Sequence, residues 1–210
     1  PTALTVNNIT STAAELSWTD NAGTSTFDIE LDTAGFSPSG TPTQTGVSNP
    51  YTYTGLSSAT IYDYYVRADC GGGDYSPWAG PFTFTTECAA YTAPYSNNFD
   101  AVTEPDMPLC WTKSVNSTSV SAEIVTEGYS HVSAPNSIEL YNSSDASAEL
   151  YLISPEFSDL TSQNNRIRFQ ASIEDPSPLI IGTMTDPTDP ATFTGFDTIP
   201  SNGATWQEYT

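Results

Sequence analysis

The first 87 positions carry short runs in which hydrophobic and polar residues alternate, separated by turn residues. In residues 14–19 the side chains of Leu16 and Trp18 fall on one face, and residues 26–31 repeat this pattern. Further runs of the same kind cover residues 51–53, 62–68 and 82–85. Alternation with a period of two residues indicates half-buried β-strands. Strands at this spacing predict a β-sandwich whose two inner faces share one core.

Residues 88–210 have a less regular pattern, but runs of strand length continue. We predict strands at residues 122–125, 137–141, 149–153, 166–173 and 179–184, and from Trp206 onward. Residues 166–173 alternate strictly, which predicts one buried and one solvated face. Residues 179–181 are continuously apolar, which predicts a central strand. Residues 186–190 contain two prolines, which cannot donate to a ladder, so this stretch is predicted to be a loop.

The composition supports a folded, acidic, all-β protein. The 210 residues include 25 acidic side chains, four basic ones and one histidine, which gives a formal net charge of −21. Apolar residues make up 37% and aromatic residues 12% of the chain, whereas acidic disordered chains are poor in aromatic residues. Because nucleic-acid binding needs clustered Lys and Arg, we expect no nucleic-acid partner. No apolar run approaches the roughly 18 residues of a membrane-spanning helix, so we expect no membrane insertion.

The corner before the predicted strand at residues 62–68 contains a family motif. Residues 55–68 read GLSSATIYDYYVRA and resemble the corner and the following strand of a fibronectin type III domain. The resemblance implies that Tyr62 is the corner tyrosine, whose hydroxyl bonds the upstream backbone, and that Trp18 is the core tryptophan. It implies an immunoglobulin-like sandwich for residues 1–87. An unrelated sandwich is the alternative.

Residues 88–210 resemble a second family through a series of short motifs. The motifs are PYSNNFD at residues 94–100, LCW at 109–111, SPEF at 154–157 and GTMTD at 182–186. They are similar to the jelly-roll module related to cleaved-adhesin and MAM-like domains, which follows fibronectin type III units in bacterial exoproteins exported by type IX secretion. The resemblance implies an incomplete jelly roll. Because residues 205–210 alternate like the start of a strand, we expect a segment of a longer polypeptide.

The three cysteines, Cys70, Cys88 and Cys110, have no paired spacing typical of zinc sites. In a secreted protein a disulfide is the natural interpretation. On the fold that the first resemblance implies, the loop of Cys70 lies at the opposite end of the sandwich from Cys88. The resemblance therefore implies a Cys88–Cys110 bond with Cys70 free or paired outside the chain, and a Cys70–Cys88 bond is the alternative.

Catalytic signatures are missing from the sequence. His131 is the only histidine, and no Gly-x-Ser-x-Gly or His-Glu-x-x-His motif occurs. A pair of carboxylates for glycoside hydrolysis is defined by spatial geometry, and nothing in the sequence nominates one. We therefore predict no enzymatic activity and place His131 in a surface loop.

Two kinds of binding site remain candidates. The jelly-roll resemblance implies a structural calcium near the acidic residue of the first strand, which is Asp100. Loop oxygens around residues 133–136 are our own candidates for completing such a site. The alternative is a solvated Asp100. Tyr75 and Trp78 are candidates for stacking on a sugar ring, against core packing or contact between the two modules.

These observations predict a non-catalytic segment of a secreted or cell-surface bacterial multidomain protein. The segment would mediate adhesion or attachment, with a glycan or a surface protein as its partner. One alternative is the ancillary region of a large secreted protease or polysaccharide-degrading enzyme. Another is cargo that the type IX secretion machinery recognises.

Overall fold

The computed structural model describes residues 1–21, 23, 26–160, 165–174, 176 and 178–210. These residues form sixteen β-strands and one short 3-10 helix, Pro190–Thr192, so the predicted all-β class is confirmed. The chain divides into two units, Pro1–Ala89 and Ala90–Thr210.

The first unit is a sandwich of two antiparallel sheets. Its strands are β1 (Thr2–Asn7), β2 (Ala13–Thr19), β3 (Phe27–Thr33), β4 (Gln44–Val47), β5 (Tyr51–Thr54), β6 (Ile61–Gly71), β7 (Asp74–Tyr75) and β8 (Ala79–Thr85). One sheet has the order β1-β2-β5. In the other sheet β3 lies between β4 and β6, and β6 also pairs with β7 and β8. The alternating runs of the sequence therefore become paired strands.

The inner faces of these sheets form a continuous hydrophobic core. Leu16, Ile29 and Tyr64 are completely buried in it. Burial of each such side chain contributes about 1.5–3 kcal/mol. The Tyr64 hydroxyl donates to the carbonyl oxygens of Thr5 (3.1 Å) and Ser17 (2.9 Å), both in the opposite sheet. Burial raises the pKa of the Tyr64 phenol above its ordinary value of 10.0.

Trp18 and Tyr62 both lie in the buried core of the first unit. Trp18 is 5% exposed, and its ring meets Phe27 edge-on at a centroid distance of 5.0 Å. The buried indole Nε1 of Trp18 has no hydrogen-bond partner among the described residues. The Tyr62 hydroxyl accepts a hydrogen bond from the backbone N–H of Ser57 (2.9 Å), five residues upstream.

The outer face of the β3–β6 sheet is not simply solvated. Its buried carboxylates are Asp28, Glu30 and Asp63. Glu30 accepts hydrogen bonds from the backbone N–H groups of Ser39 (2.7 Å) and Gly40 (3.2 Å), and Asp63 accepts one from Gly35 N–H (2.7 Å). The β3–β4 connection therefore covers this face, because charged side chains of β3 and β6 bind its backbone.

The second unit consists of antiparallel strand pairs. Its strands are β9 (Thr112–Asn116), β10 (Glu123–Glu127), β11 (Ser137–Tyr141), β12 (Glu149–Ile153), β13 (Phe169–Ala171), β14 (Leu179–Thr183), β15 (Thr194–Ile199) and β16 (Gln207–Tyr209). The pairs are β9 with β12, β10 with β11, β13 with β16, and β14 with β15.

Two predictions for this unit were wrong. The strand expected over residues 166–173 is limited to β13, because only Phe169–Ala171 have ladder partners, on β16. The central strand expected at residues 179–181 is β14, which pairs with β15 on one side and leaves Ile180 50% exposed. Apolar continuity therefore did not mean burial on both faces.

Hydrophobic burial in the second unit is sparse. Among its described residues, the buried hydrophobic side chains are Ile124, Ile173 and Ile199, and of these only Ile124 is completely buried. Aromatic contacts supply further packing, including the edge-on pair of Phe99 and Trp111 at 5.3 Å. The described strands therefore share less core than those of the first unit.

Candidate functional site

The aromatic residues that the sequence nominated for sugar contact lie around one basic side chain. Arg67 belongs to β6, Tyr75 ends β7, and Trp78 precedes β8. The guanidinium carbon of Arg67 lies 3.9 Å from the ring centroid of Tyr75 and 4.7 Å from that of Trp78. Both distances are within the range of cation–π attraction. We call these three residues the Arg67 stack.

A buried ion pair fixes the Arg67 stack to the sheet. The Nε and Nη2 atoms of Arg67 donate to Oδ2 of Asp28 at 3.1 and 2.9 Å. Oδ1 of Asp28 accepts a hydrogen bond from Gly46 N–H (3.3 Å). The Arg67 side chain is 15% exposed and that of Asp28 is 4% exposed. Because both partners are largely withdrawn from water, the guanidinium has little freedom to move.

The two rings of the stack differ in exposure. Trp78 is half-buried, whereas Tyr75 is 47% exposed. The sequence pointed to these two rings but missed Arg67, which orients them. One signal was available, since Arg67 is the only basic residue among the first 87 positions. A lone cation in so acidic a stretch indicates a specific partner.

The second candidate site surrounds Asp100. Its Oδ1 accepts hydrogen bonds from Ser133 Oγ (3.3 Å) and Asn136 N–H (3.4 Å). The side-chain amide nitrogen of Asn136 donates to Val102 O (2.7 Å), so this bond does not use the Oδ1 atom of Asn136. Two hydrogen bonds with Asn98 hold Asp100 in place. Asn98 Oδ1 accepts from Asp100 N–H (3.4 Å), and Asn98 Nδ2 donates to Asp100 Oδ2 (2.6 Å). The structure thus brings Asp100 together with residues 133–136.

Three oxygen atoms closely approach Gly128 beside this cluster. A β-carbon at Gly128 would lie 2.5 Å from Glu104 Oε1, 3.4 Å from Pro135 O and 3.5 Å from Asn136 Oδ1. Glu104 was not predicted from the sequence, because it is 24 positions from Gly128 in a loop without a recognisable motif. We call Asp100, Glu104, Gly128, Pro135 and Asn136 the Asp100 cluster.

The donor atoms of the Asp100 cluster suit a hard cation. Two carboxylates and neutral amide and carbonyl oxygens are the ligand types that Ca²⁺ binds. No group of three or more His, Cys, Asp and Glu side chains able to hold a metal occurs among the described residues. A calcium ion in this cluster would therefore depend on neutral oxygens such as Asn136 Oδ1 and Pro135 O.

The remaining candidate residues are the three cysteines and His131. Cys88 and Cys110 are both disulfide-bonded, whereas Cys70 is free and exposed, so the alternative Cys70–Cys88 bond is absent. His131 is half-buried, and its Nδ1 lies 3.1 Å from Gly128 O. This contact ties the imidazole to the backbone of its own loop rather than to a nucleophilic side chain. Within the described part of the chain, we find no helix with the length and apolar character that membrane crossing requires.

Comparison with known proteins defines the class of the first unit. Residues 1–85 match the family model of the fibronectin type III domain. The N-terminal unit is therefore a fibronectin type III domain, a non-catalytic module, as the corner motif predicted. Two solved structures are each similar to about two fifths of the chain. One comes from the computer-based redesign of a β-sandwich protein, with 26% identity, a TM-score of 0.33, and coverage of 42% of this chain and 94% of that chain. The other is a myokine structure, with 19% identity, a TM-score of 0.34, and coverage of 41% and 95%.

Two bacterial proteins are similar to this chain in sequence. Endoglucanase B of Cellulomonas fimi is 34% identical over 144 residues, which cover 59% of this chain and 13% of that protein. Exoglucanase B of Cellulomonas fimi is 31% identical over 130 residues, which cover 62% of this chain and 10% of that protein. The chain thus spans about a tenth of the length of these curated relatives.

Proposed function

We propose that these 210 residues are a non-catalytic, ancillary segment of a larger secreted enzyme that degrades polysaccharides. The similarity to two bacterial glucanases, of which the chain spans 13% and 10%, carries this proposal. The geometry is consistent with it, because His131 contacts backbone and the first unit is a fibronectin type III domain. The disulfide supports secretion, since disulfides persist in oxidising compartments.

A hydrolysis assay tests the non-catalytic role. The purified 210-residue chain is expected to release no reducing sugar from carboxymethylcellulose or mixed-linkage β-glucan. The natural polypeptide that contains these residues is expected to release it. Release by the 210 residues alone, retained in a His131→Ala variant, would show an active site that this account lacks.

Adhesion to a glycan or to a surface protein is the second role that we propose for this segment. A segment that attaches an enzyme to a glycan or to a surface protein differs from an adhesin mainly in what else its polypeptide carries. The adhesin-like module at residues 88–210 and export by the type IX machinery stay predictions from the sequence motifs. Deleting the type IX machinery in the source bacterium and measuring the protein in the medium tests the export prediction.

We also infer that the Asp100 cluster holds a structural calcium ion. Asp100 and Glu104 would supply charged oxygens, while Pro135 and Asn136 would supply neutral ones, and Glu104 approaches Gly128 too closely for a side chain at that position. A cation there would join the loop before β9 to the loop between β10 and β11. When bound, calcium would contribute only this cross-link and no chemistry.

Thermal unfolding with calcium or chelator tests the calcium site. Calcium at about 100 times its Kd should stabilise the protein by about 2.7 kcal/mol, because the ion binds only the folded state. Asp100→Asn should abolish this gain and Gly128→Ala should weaken it, since the new methyl group displaces Glu104. Asp186→Asn, in a distant exposed loop, is the control. Identical melting curves in calcium and in chelator would contradict the site.

A further inference from the structure

We propose that the exposed ring of Tyr75 in the Arg67 stack binds a neutral β-glucan chain. This inference rests on the proposed function, because it names the contact through which the segment would attach to polysaccharide. It concerns the first unit alone.

Tyr75 stands out among the side chains of the first unit. The exposed large hydrophobic residues among its described positions are Ile61, at 52%, and Tyr75, at 47%. The other large aromatic side chains of the unit include Tyr64, Phe27 and Trp18, which are buried in the core. The fold leaves about half of the Tyr75 ring outside, although a core is available. Both residues of its strand, β7, are exposed.

The exposed ring is held in place rather than free to rotate. The Arg67 guanidinium lies 3.9 Å from its centroid, and Asp28 fixes that guanidinium through two hydrogen bonds. Trp78 packs on the same guanidinium. A ring that is ordered before binding loses little conformational entropy on binding, which improves affinity without any new contact.

The charge around the ring selects the class of ligand. Arg67 is the only basic residue of the first 87, and its charge is already paired with Asp28. Exposed Asp74 is the neighbour of Tyr75 in β7, and the chain carries a net charge of −21. Acidic polysaccharides and nucleic acids are therefore repelled. A neutral polysaccharide meets no such barrier.

A β-linked glucose polymer has this chemistry. Its equatorial hydroxyl groups leave apolar C–H faces on each pyranose ring, and these faces can pack on the Tyr75 ring. A single aromatic contact of this kind implies weak binding, in the millimolar range for one site. Such an affinity suits a segment that stays near a surface without being trapped on it.

Affinity electrophoresis of the 210-residue chain tests this proposal. Native gels containing hydroxyethylcellulose should slow the protein relative to gels without polysaccharide, and gels containing polygalacturonate should not. Tyr75→Ala should weaken the binding about tenfold. Tyr75→Phe should retain it, because the ring remains. Ile61→Ala, which removes the other exposed hydrophobic side chain of the unit, is the matched control and should also bind normally.

A second measurement needs no variant. In NMR spectra of the unmodified chain, cellohexaose should shift the ring signals of Tyr75 and leave the methyl signals of Ile61 in place. The proposal is overturned if hydroxyethylcellulose does not slow the protein, if Tyr75→Ala binds as tightly as the parent, or if polygalacturonate binds as well. None of these results bears on whether the natural polypeptide carries a hydrolase domain, so the proposed function is tested separately.

Discussion

At the scale of single residues, polar side chains at the edge of the sandwich core form hydrogen bonds with the backbone of neighbouring loops. Hydrophobic patterning does not predict these bonds. Tyr62 was identifiable because its motif is local, and its hydroxyl accepts a hydrogen bond from Ser57 N–H. The burial of Asp28 and Glu30 was not predictable, since alternation along β3 assigned them to a solvated face. Their burial depends on a connection that folds back over the sheet, and local sequence does not encode that geometry.

The corner hydrogen bond makes a testable contribution to stability. Tyr62→Phe removes the acceptor and leaves the Ser57 N–H without its partner, so we expect the free energy of unfolding to fall by about 1–2 kcal/mol. Urea denaturation of the parent and the variant measures this difference. Tyr75→Phe, which alters an exposed hydroxyl, should have little effect. Equal midpoints and slopes for Tyr62→Phe and the parent would contradict the assigned role.

At the scale of elements, sequence patterns located strands better than they located partners. The predicted strands at residues 137–141 and 149–153 coincide with β11 and β12. Strand β9 was missed, because the sequence TKSVN has no hydrophobic alternation and becomes a strand through its pairing with β12. The expected strand at residues 166–173 shrinks to three residues for the opposite reason, since alternation indicates a face but not the presence of a partner.

Loops of the second unit are organised by a carboxylate as well. Asp145 Oδ2 accepts hydrogen bonds from Ser117 Oγ (2.9 Å) and Thr118 N–H (2.6 Å), and Oδ1 accepts from Ser147 N–H (2.9 Å). The Asp145 side chain therefore joins the β9–β10 loop to the β11–β12 loop. The hydrogen bonds from Ser147, followed by those from Thr118 and Ser117, hold the pKa of the Asp145 carboxyl well below its ordinary value of 3.8.

This lowered pKa predicts a pH dependence with a definite sign. Because the folded pKa lies below the unfolded value, the contribution to stability is complete above pH 3.8 and is lost as the pH falls through the folded pKa. Asp145→Asn should therefore destabilise the protein at pH 7, and the difference should shrink below pH 3.8. Chemical denaturation across this range measures it, with Ser143→Ala as the control. A difference that stays constant with pH would count against the loop contact.

At the scale of the whole molecule, the two units have different means of stabilisation. The fibronectin type III domain has a continuous core, whereas the second unit has few buried hydrophobic residues among those described and depends more on hydrogen-bonded loops. The 210 residues therefore comprise one recognisable domain and a second unit whose described core is smaller. Short motifs suggested a boundary near residue 87, and the structure divides at residue 89.

Because the second unit has few buried hydrophobic residues among those described, we expect the disulfide to contribute to its stability. A bond that closes a loop of about 20 residues contributes about 3 kcal/mol by restricting the unfolded chain. Reduction with dithiothreitol should lower the melting temperature, while Cys70→Ser should leave it unchanged because Cys70 is free and exposed. Calorimetry with and without reductant makes the comparison. A melting temperature that does not change on reduction would show that the disulfide does not stabilise the protein.

The central claim is that this segment serves a polysaccharide-degrading enzyme without catalysing the reaction itself. The most direct test is mass-spectrometric sequencing of the natural polypeptide that contains these residues, isolated from the culture medium of its source. We predict peptides of a glycoside hydrolase domain on the same polypeptide. A polypeptide composed only of further β-sandwich repeats would contradict the claim and favour an adhesin.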